Sequence, residues 1–329
     1  MKNEHMSCYY RITVILRNEQ MQKELSHSTP SRESREFIRE LRQNPPFGAG
    51  GNEFDLDRLR REMAARREPT IRGVACLNSQ IDAMPCEWVM APGADPDLRM
   101  LYLHGGGYVA GSSANRMPVA ARISEAAGCA VLLPNYRLAP EHPFPAALED
   151  CVRAHEWIMA FGPAGQAPAR ATFIAGDSAG GGLTLATLLA LRDRRRPLPA
   201  AGIPLSPFAD LTLASQSIQS ESGNDPVMHP SCLTVFADLY LGKTDSHHPL
   251  ASPVFGDYRG IPPLLIQVGE HEVIRDDSVR VANKAESDGV EVLLEVWPGM
   301  IHVFQSLELP EARQAMAHIA DFMRARLSR

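Results

Sequence analysis

No apolar stretch in the 329 residues approaches the length of about eighteen that a membrane-spanning helix needs. The N-terminal segment also lacks the apolar core of a secretory signal peptide. Residues 9–16 come nearest to one, but they are few and Arg11 interrupts them. The sequence therefore predicts neither a membrane span nor export.

Paired cysteines and an excess of positive charge are missing as well. The sequence has six cysteines and no C-x-x-C pair, which favours reduced thiols over a disulfide framework or a metal cluster. They are Cys8, Cys76, Cys86, Cys129, Cys151 and Cys232. A net charge of -6 gives no electrostatic reason to expect binding to nucleic acid. We therefore expect a cytoplasmic protein that acts on a small molecule and needs no metal or other cofactor.

Apolar residues make up 44% of the chain, which is enough for a large buried core. From residue 99 onward, short apolar runs alternate with helical patterns, and this predicts an α/β fold with a mostly parallel sheet. The runs that predict strands are 71–77, 86–90, 99–103, 129–134, 171–175, 200–205, 263–268 and 290–296. The helical patterns lie near 114–127, 145–161, 178–193, 276–288 and 310–326. In such a sheet the functional residues collect at the carboxyl ends of the strands.

Two regions do not fit this alternation. Near the N-terminus, an amphipathic helix is predicted from Ser31 to Asn44 and a shorter one over 55–67, both ahead of any strand. Residues 206–260 form a long insertion around a helix at 230–241. We predict that the two regions form one helical cap, and that residues 1–30 are poorly ordered. The predicted division is extension 1–30, cap 31–68 and 206–245, and catalytic domain 69–205 and 246–329.

The segment 172–185 is an apolar run, then glycines around a serine, then a helical pattern. Gly176, Ser178 and Gly180 match G-x-S-x-G, in which the serine lies at the tip of a sharp strand-to-helix turn. There its hydroxyl faces solvent beside a helix N-terminus that favours developing negative charge. The pattern indicates a nucleophile, although glycine-rich turns of this kind also bind nucleotides.

The second motif, His104-Gly105-Gly106-Gly107, directly follows the strand at 99–103. Glycines let backbone N–H groups approach a ligand atom closely. The N–H groups of Gly105 and Gly106, with that of Ala179, are therefore candidates for an oxyanion hole. A plain glycine turn and a fragment of a dinucleotide fingerprint are the alternatives, but the fingerprint's final glycine is replaced by Ala110.

In enzymes with a serine turn of this kind, the catalytic residues follow one another along the chain as serine, acid and histidine, so an acid and a base should follow Ser178. His302 lies in a Pro-Gly loop after the last predicted strand, and neutral imidazole is a suitable proton acceptor. The loop after strand 263–268 offers four carboxylates. They are Glu270, Glu272, Asp276 and Asp277. The two aspartates are also well placed as helix N-terminal residues, and nothing in the pattern separates the two glutamates.

Four segments together resemble the hormone-sensitive lipase family, the bacterial family IV esterases of the alpha/beta-hydrolase fold. They are HGGG at 104–107, YRLAPEHPFPAALED at 136–150, GDSAGG at 176–181 and PGMIHVF at 298–304. The resemblance covers about residues 31–326. It implies an eight-stranded, mostly parallel sheet with a helical cap, and a serine carboxylesterase that prefers short acyl chains. In that likeness Ser178 is the nucleophile and His302 the base, and the oxyanion donors are Gly105, Gly106 and Ala179.

The family's acid lies in a D-P-L-x-D-E segment, which aligns with residues 272–277. The first position is usually aspartate, and here it is Glu272. The separation between Glu272 and His302 is the family's usual one, so the resemblance implies Glu272 as the acid, with Asp276 as the fallback. Homodimers are common in the family.

Other activities use the same residues. A lactone or amide hydrolase would need the same triad, and a substrate panel would distinguish it. Plant gibberellin receptors resemble the family but lack the catalytic histidine, which is present here as His302. A zinc motif beginning at His271 fails because its fifth position is Arg275.

Overall fold

The computed structural model describes residues 29–45, 54–65 and 73–327. The prediction of a poorly ordered extension over 1–30 therefore falls almost wholly outside the described residues. The strands in the described ranges are β1 Ala75–Ile81, β2 Met84–Met90, β3 Asp95–Leu103, β4 Cys129–Pro134, β5 Phe161–Gly162, β6 Gly165–Gln166, β7 Ala171–Asp177, β8 Ala201–Leu205, β9 Leu264–His271 and β10 Val292–Ile301.

Eight of these strands form one sheet in the order β1-β2-β4-β3-β7-β8-β9-β10. The pairings β1/β2 and β2/β4 are antiparallel, and the five others are parallel. The prediction of an eight-stranded, mostly parallel α/β sheet is confirmed. Strands β5 and β6 form a separate small hairpin that the sequence reading did not predict.

The first strand lies later in the chain than predicted, at Ala75–Ile81 rather than 71–77. It is an edge strand whose side chains are mostly exposed, so it has no continuous apolar run to mark its position. A tight turn at Asp82, which has a positive φ of 51°, joins it to β2. The apolar-run criterion therefore fails at this edge of the sheet, while it succeeds for buried strands such as β4.

Helices cover both faces of the sheet. The α-helices in the described ranges are α1 Arg32–Gln43, α2 Leu56–Ala65, α3 Met117–Ala127, α4 Ala146–Ala160, α5 Ala179–Asp193, α6 Ser217–Ser220, α7 Pro230–Leu241, α8 Arg275–Ser287 and α9 Pro310–Leu327. Side chains alternate along β3, so that Leu101 faces the core under α4, α5 and α8, while Met100 faces the core under α3 and α9. None of the helices in the described part of the chain is long and apolar enough to span a membrane.

The two N-terminal helices pack on different parts of the sheet domain. In α1, Ile38 is buried against Trp297, Met300 and Phe304, and full burial of such a side chain is worth about 2 kcal/mol. Helix α2 contributes Leu59 and Met63 to the large core. Residues 66 and 67 of the predicted second helix lie outside the described residues, and the division into cap and catalytic domain remains a prediction.

The sheet topology determines where chemistry can gather. The five strands β3, β7, β8, β9 and β10 are adjacent and parallel, so their carboxyl ends lie along one edge. The residue directly after each strand is polar. These residues are His104, Ser178, Ser206, Glu272 and His302. The fold thus brings five side chains from distant parts of the chain to one region.

Candidate active site

Ser178 forms the tip of the turn between β7 and α5, with φ 54° and ψ -118°, a conformation that side chains rarely adopt. The flanking positions have no room for side chains. A Cβ on Gly176 would lie 2.4 Å from the carbonyl oxygen of Gly180, and one on Gly180 would lie 1.9 Å from that of Leu103. The two glycines therefore allow the turn that exposes the serine hydroxyl at the start of the helix.

Ser178, His302 and Glu272 form a continuous chain of hydrogen bonds. The Oγ of Ser178 is 2.9 Å from Nε2 of His302, and Nδ1 of His302 is 2.9 Å from Oε2 of Glu272. Ser178 and His302 are each 6% exposed, and Glu272 is completely buried. This geometry allows a proton to pass from the hydroxyl to an imidazole that a carboxylate holds in place.

The second oxygen of Glu272 is also held. It accepts a hydrogen bond from Oγ of Ser206 at 2.7 Å and a short one from the backbone N–H of Gly269. The Ser206 hydroxyl in turn accepts from the N–H of Val303, at 3.2 Å. Ser206 therefore connects the acid to the loop that carries His302. Sequence reasoning missed it, although its place directly after β8 is a usable signal.

The other carboxylates of this loop have different partners. Glu270 accepts a hydrogen bond from the N–H of Gly299 at 2.7 Å. Asp276 accepts one from the N–H of Ser217 at 2.9 Å, while the buried Asp277 accepts from backbone N–H groups at the start of the insertion. Of the four candidates, the structure brings only Glu272 into hydrogen-bond contact with His302.

Burial acts first on the pKa of His302 and lowers it, because the charged imidazolium loses its hydration. The hydrogen bond to Glu272 and the charge of that residue, with the charges of Asp225 and Asp177, act in the opposite direction and outweigh burial. The pKa of His302 is therefore raised above its ordinary value of 6.5. The imidazole is thus a stronger base than a free histidine side chain.

The glycine loop after β3 lies directly against the serine turn. A Cβ on Gly105 would lie 2.3 Å from Oδ2 of Asp177, so only glycine fits there. Among the described residues, the N–H groups of Gly105, Gly106 and Ala179 have no hydrogen-bond acceptor. Backbone donors of this kind are available to bind an anionic oxygen.

His104 supports this loop as a neutral ring. Its Nδ1 is 2.9 Å from the carbonyl oxygen of Gly105, and its ring stacks on Tyr136 with centroids 4.2 Å apart. Complete burial lowers the pKa of His104 to about 4, so the imidazole is uncharged at neutral pH. The Tyr136 hydroxyl donates to the carbonyl oxygen of His104. The histidine of the HGGG motif therefore stabilises the loop and does not provide a charge.

A buried ion pair lies under both the serine turn and the glycine loop. Arg116 donates two hydrogen bonds to the carboxylate of Asp177, at 2.7 and 2.6 Å, and the hydroxyl of Tyr102 donates a third at 3.0 Å. Although burial raises the pKa of Asp177, the pairing with Arg116 outweighs burial and the net shift is downward. Arg116 is a partner that sequence reasoning missed, since it lies 61 residues from Asp177.

The described residues contain no group of three histidine, cysteine or acidic side chains that could hold a metal ion. The five cysteines in the described part of the chain are free thiols. His271, which begins the incomplete zinc pattern, lies 3.3 Å from the carboxylate of Glu221.

Comparisons with known proteins agree with this arrangement. A family described by its alpha/beta hydrolase fold matches residues 100–306. An acetyl-hydrolase of Streptomyces hygroscopicus is 43% identical over 240 residues, which is 72% of this chain and 79% of that protein. The putative acetyl-hydrolase LipR of Mycobacterium tuberculosis is 35% identical and covers 80% of this chain and 84% of its own length.

Solved structures show the same likeness over a larger share of the chain. The esterase EstE5, in a crystal soaked with p-nitrophenyl butyrate, superposes with a TM-score of 0.84 at 41% identity and covers 91% of this chain and 100% of that one. An esterase described as belonging to the bacterial hormone-sensitive lipase family gives a TM-score of 0.83 at 40% identity over the same shares. The chain therefore belongs to the hormone-sensitive lipase family of alpha/beta-hydrolase esterases and is a carboxylic ester hydrolase.

Proposed function

We propose that this protein hydrolyses short-chain carboxylic esters through an acyl-enzyme formed on Ser178. The observation that carries the proposal is the hydrogen-bonded chain of Ser178, His302 and Glu272, with both connecting distances at 2.9 Å. In acylation, Oγ of Ser178 attacks the ester carbonyl carbon while Nε2 of His302 takes the hydroxyl proton. The tetrahedral intermediate then collapses, the bond to the alkoxy oxygen breaks, and His302 returns the proton to the leaving alcohol.

Deacylation repeats these steps with water. Nε2 of His302 removes a proton from water as the water oxygen attacks the acyl carbon, and the same proton then returns to Oγ of Ser178 as the carboxylic acid leaves. In both stages the carbonyl oxygen carries negative charge, and the N–H groups of Gly105, Gly106 and Ala179 are the donors that we assign to it. Each such donor is worth about 3 to 4 kcal/mol in a comparable site.

Two observations support a short acyl chain. The ring of Phe236 from α7 lies so close to Gly107 that a Cβ there would be 2.6 Å from ring carbons, and Phe54 packs edge-on against Phe236 with centroids 5.5 Å apart. These rings occupy space directly beside the glycine loop. Relatives named acetyl-hydrolase and ethyl acetate hydrolase also point to short acyl groups.

Two measurements test the acyl-enzyme. They are pre-steady-state kinetics with an ester substrate and covalent labelling with a fluorophosphonate probe. We expect p-nitrophenyl butyrate to release a burst of one p-nitrophenolate per active site, because this good leaving group departs in acylation and leaves deacylation as the slower step. The probe should label the peptide that contains Ser178. Across p-nitrophenyl acetate, butyrate, octanoate and laurate, kcat/KM should be highest for the shorter esters and fall steeply at laurate. No burst, together with labelling elsewhere, would contradict the mechanism, whereas a maximum at laurate would contradict only the chain length.

The pH dependence should follow from the raised pKa of His302. Only the neutral imidazole can accept the Ser178 proton, so kcat/KM should fall as pH falls through the pKa of His302 in the free enzyme. Because that pKa lies above 6.5, the acidic limb should have its midpoint above pH 6.5. The measurement uses p-nitrophenyl acetate, with product followed at a wavelength where absorbance is independent of pH. A midpoint below 6.5 would contradict the raised pKa of His302.

A further inference from the structure

Asp225 lies in the insertion, between α6 and α7, and is only 7% exposed. Its carboxylate accepts three backbone hydrogen bonds. One oxygen binds the N–H groups of Val227 at 2.8 Å and Met228 at 3.1 Å, within its own loop. The other oxygen binds the N–H of Val273 at 3.1 Å, 48 residues further along the chain.

The contact with Val273 connects two loops that the sequence separates widely. Val273 directly follows Glu272, so the carboxylate of Asp225 holds the peptide unit next to the acid of the predicted triad. The loop that carries Asp225 is also held by α1, whose Arg42 donates a hydrogen bond to the carbonyl oxygen of Asn224 at 3.0 Å. Asp225 is thus one of the buried side chains through which the insertion holds the Glu272 loop; another is Ser217, whose hydroxyl donates to the carbonyl oxygen of Val273 at 2.8 Å.

The charge of Asp225 also acts on the imidazole. The pKa of Asp225 is raised to about 6, because burial and the charge of Glu272 raise it by more than His302 and the hydrogen bonds from Val227 and Val273 lower it. Reciprocally, Asp225 is one of the charges that raise the pKa of His302. The interaction is therefore mutual, as linkage requires.

Other charged groups also lie near Asp225 and His302. The charges that raise the pKa of His302 are those of Glu272, Asp225 and, from the serine turn, Asp177. The outer side of the Asp225 loop carries Glu221, which pairs with His271 and Arg275 of the acid loop at 3.3 and 3.5 Å. Arg42 contacts the same loop from α1. None of these outer groups is among the charges that set the shift of His302.

We propose that Asp225 is a positioning residue for the triad: it holds the peptide that follows Glu272 and places a second negative charge beside His302. The inference rests on the proposed function, since it assigns a role relative to the Ser178, His302 and Glu272 triad. During acylation His302 becomes a cation, and a buried carboxylate nearby stabilises that cation more than the neutral ring. Through this residue, the insertion supports the triad.

The test is Asp225→Asn, which removes the charge but keeps the size of the side chain. We expect kcat to fall about tenfold, KM to change by less than about twofold, and the midpoint of the acidic limb of kcat/KM to move down by about one pH unit. The limb moves to lower pH because the imidazolium loses a stabilising charge. A purely structural loosening would lower kcat without moving the limb.

Asp276→Asn is the matched control. Asp276 also accepts a backbone hydrogen bond from the insertion, at 2.9 Å from the N–H of Ser217, but it is not among the charges that act on His302. We expect the acidic limb of this variant to coincide with that of the wild type. An unmoved limb in Asp225→Asn, or an equal movement in both variants, would overturn the inference.

Failure of the inference is distinguishable from failure of the proposed function. If Asp225→Asn behaves as wild type while Ser178→Ala is inactive, the triad stands and only the role of Asp225 falls. Should Asp225→Asn not fold, the carboxyl carbon of Asp225 is followed by NMR in the wild type and in His302→Ala. Because the charge of His302 lowers the pKa of Asp225, its loss should raise that pKa, and an unchanged titration would overturn the inference.

Discussion

Ser178→Ala is expected to lower the turnover of p-nitrophenyl butyrate by about 10⁵-fold or more. The hydroxyl is the only atom at the turn that can form the acyl bond, and alanine leaves no nucleophile at that position. The remaining rate should come from the backbone donors and from binding alone. Steady-state kinetics, with the unfolding temperature measured in parallel, would check both activity and folding.

Ser222→Ala provides a matched control for this experiment. Ser222 is an exposed serine in the insertion whose hydroxyl donates to the backbone carbonyl of Gln219. Its loss should leave kcat and fluorophosphonate labelling unchanged. If Ser178→Ala kept wild-type turnover after contaminating esterase had been excluded by the labelling pattern, the serine mechanism would be wrong.

Glu272→Gln is expected to lower kcat by about 10³- to 10⁴-fold while the protein remains folded. The amide keeps the size of the side chain but removes the charge that stabilises the His302 imidazolium. The two carboxylate oxygens accept hydrogen bonds from His302 and from Ser206. In the amide one of these oxygens becomes an NH₂ group, which can only donate to whichever of the two residues it faces. The histidine would then lose the tautomer in which Nε2 is free to take the serine proton. Measurement of kcat and KM with p-nitrophenyl butyrate would show the loss in kcat.

Asp276→Asn serves as the comparison, since Asp276 is the other carboxylate that the family resemblance allows as the acid. It lies on α8 and pairs with Arg275 at 3.0 Å. We expect its kcat to stay within about threefold of the wild type, a change of less than about 1 kcal/mol in the activation barrier. If Asp276→Asn were the more damaging of the two, the acid would have to be reassigned from Glu272.

Most strands of the sheet could be read from the chain because their signals are local. Buried parallel strands such as β4 and β7 are continuous apolar runs, and each is followed by a helical pattern. The edge strand β1 was misplaced by four residues for the opposite reason, since its side chains are mostly exposed. Local pattern therefore predicts the centre of this sheet better than its margin.

The residues of the candidate site also differ in whether a local sequence pattern marks them. The serine turn and the glycine loop have local signatures, because close packing of backbone leaves room only for glycine at Gly105, Gly176 and Gly180. The partners Arg116 and Asp225 have none, and Ser206 has only its place directly after β8. Their contacts join residues 48 to 66 positions apart, and no pattern within a short window can specify such a pairing.

The choice among the four carboxylates shows most clearly what local sequence cannot predict. Within the chain, Glu270, Glu272, Asp276 and Asp277 are near-equivalent acids in one loop after one strand. Their different contacts arise because β10 lies beside β9 in parallel register. This pairing brings the loop after β10, which carries His302, against Glu272.

Residues adjacent in the chain are enough to predict the α/β sheet, the sharp turn at Ser178, the glycine loop and His302 in its loop. The packed fold is needed to place Glu272, and none of the three other carboxylates, against His302, and to bring Ser206 and Asp225 to Glu272 and its loop. Those contacts depend on which strand ends lie side by side, and strand order is a property of the packed core as a whole.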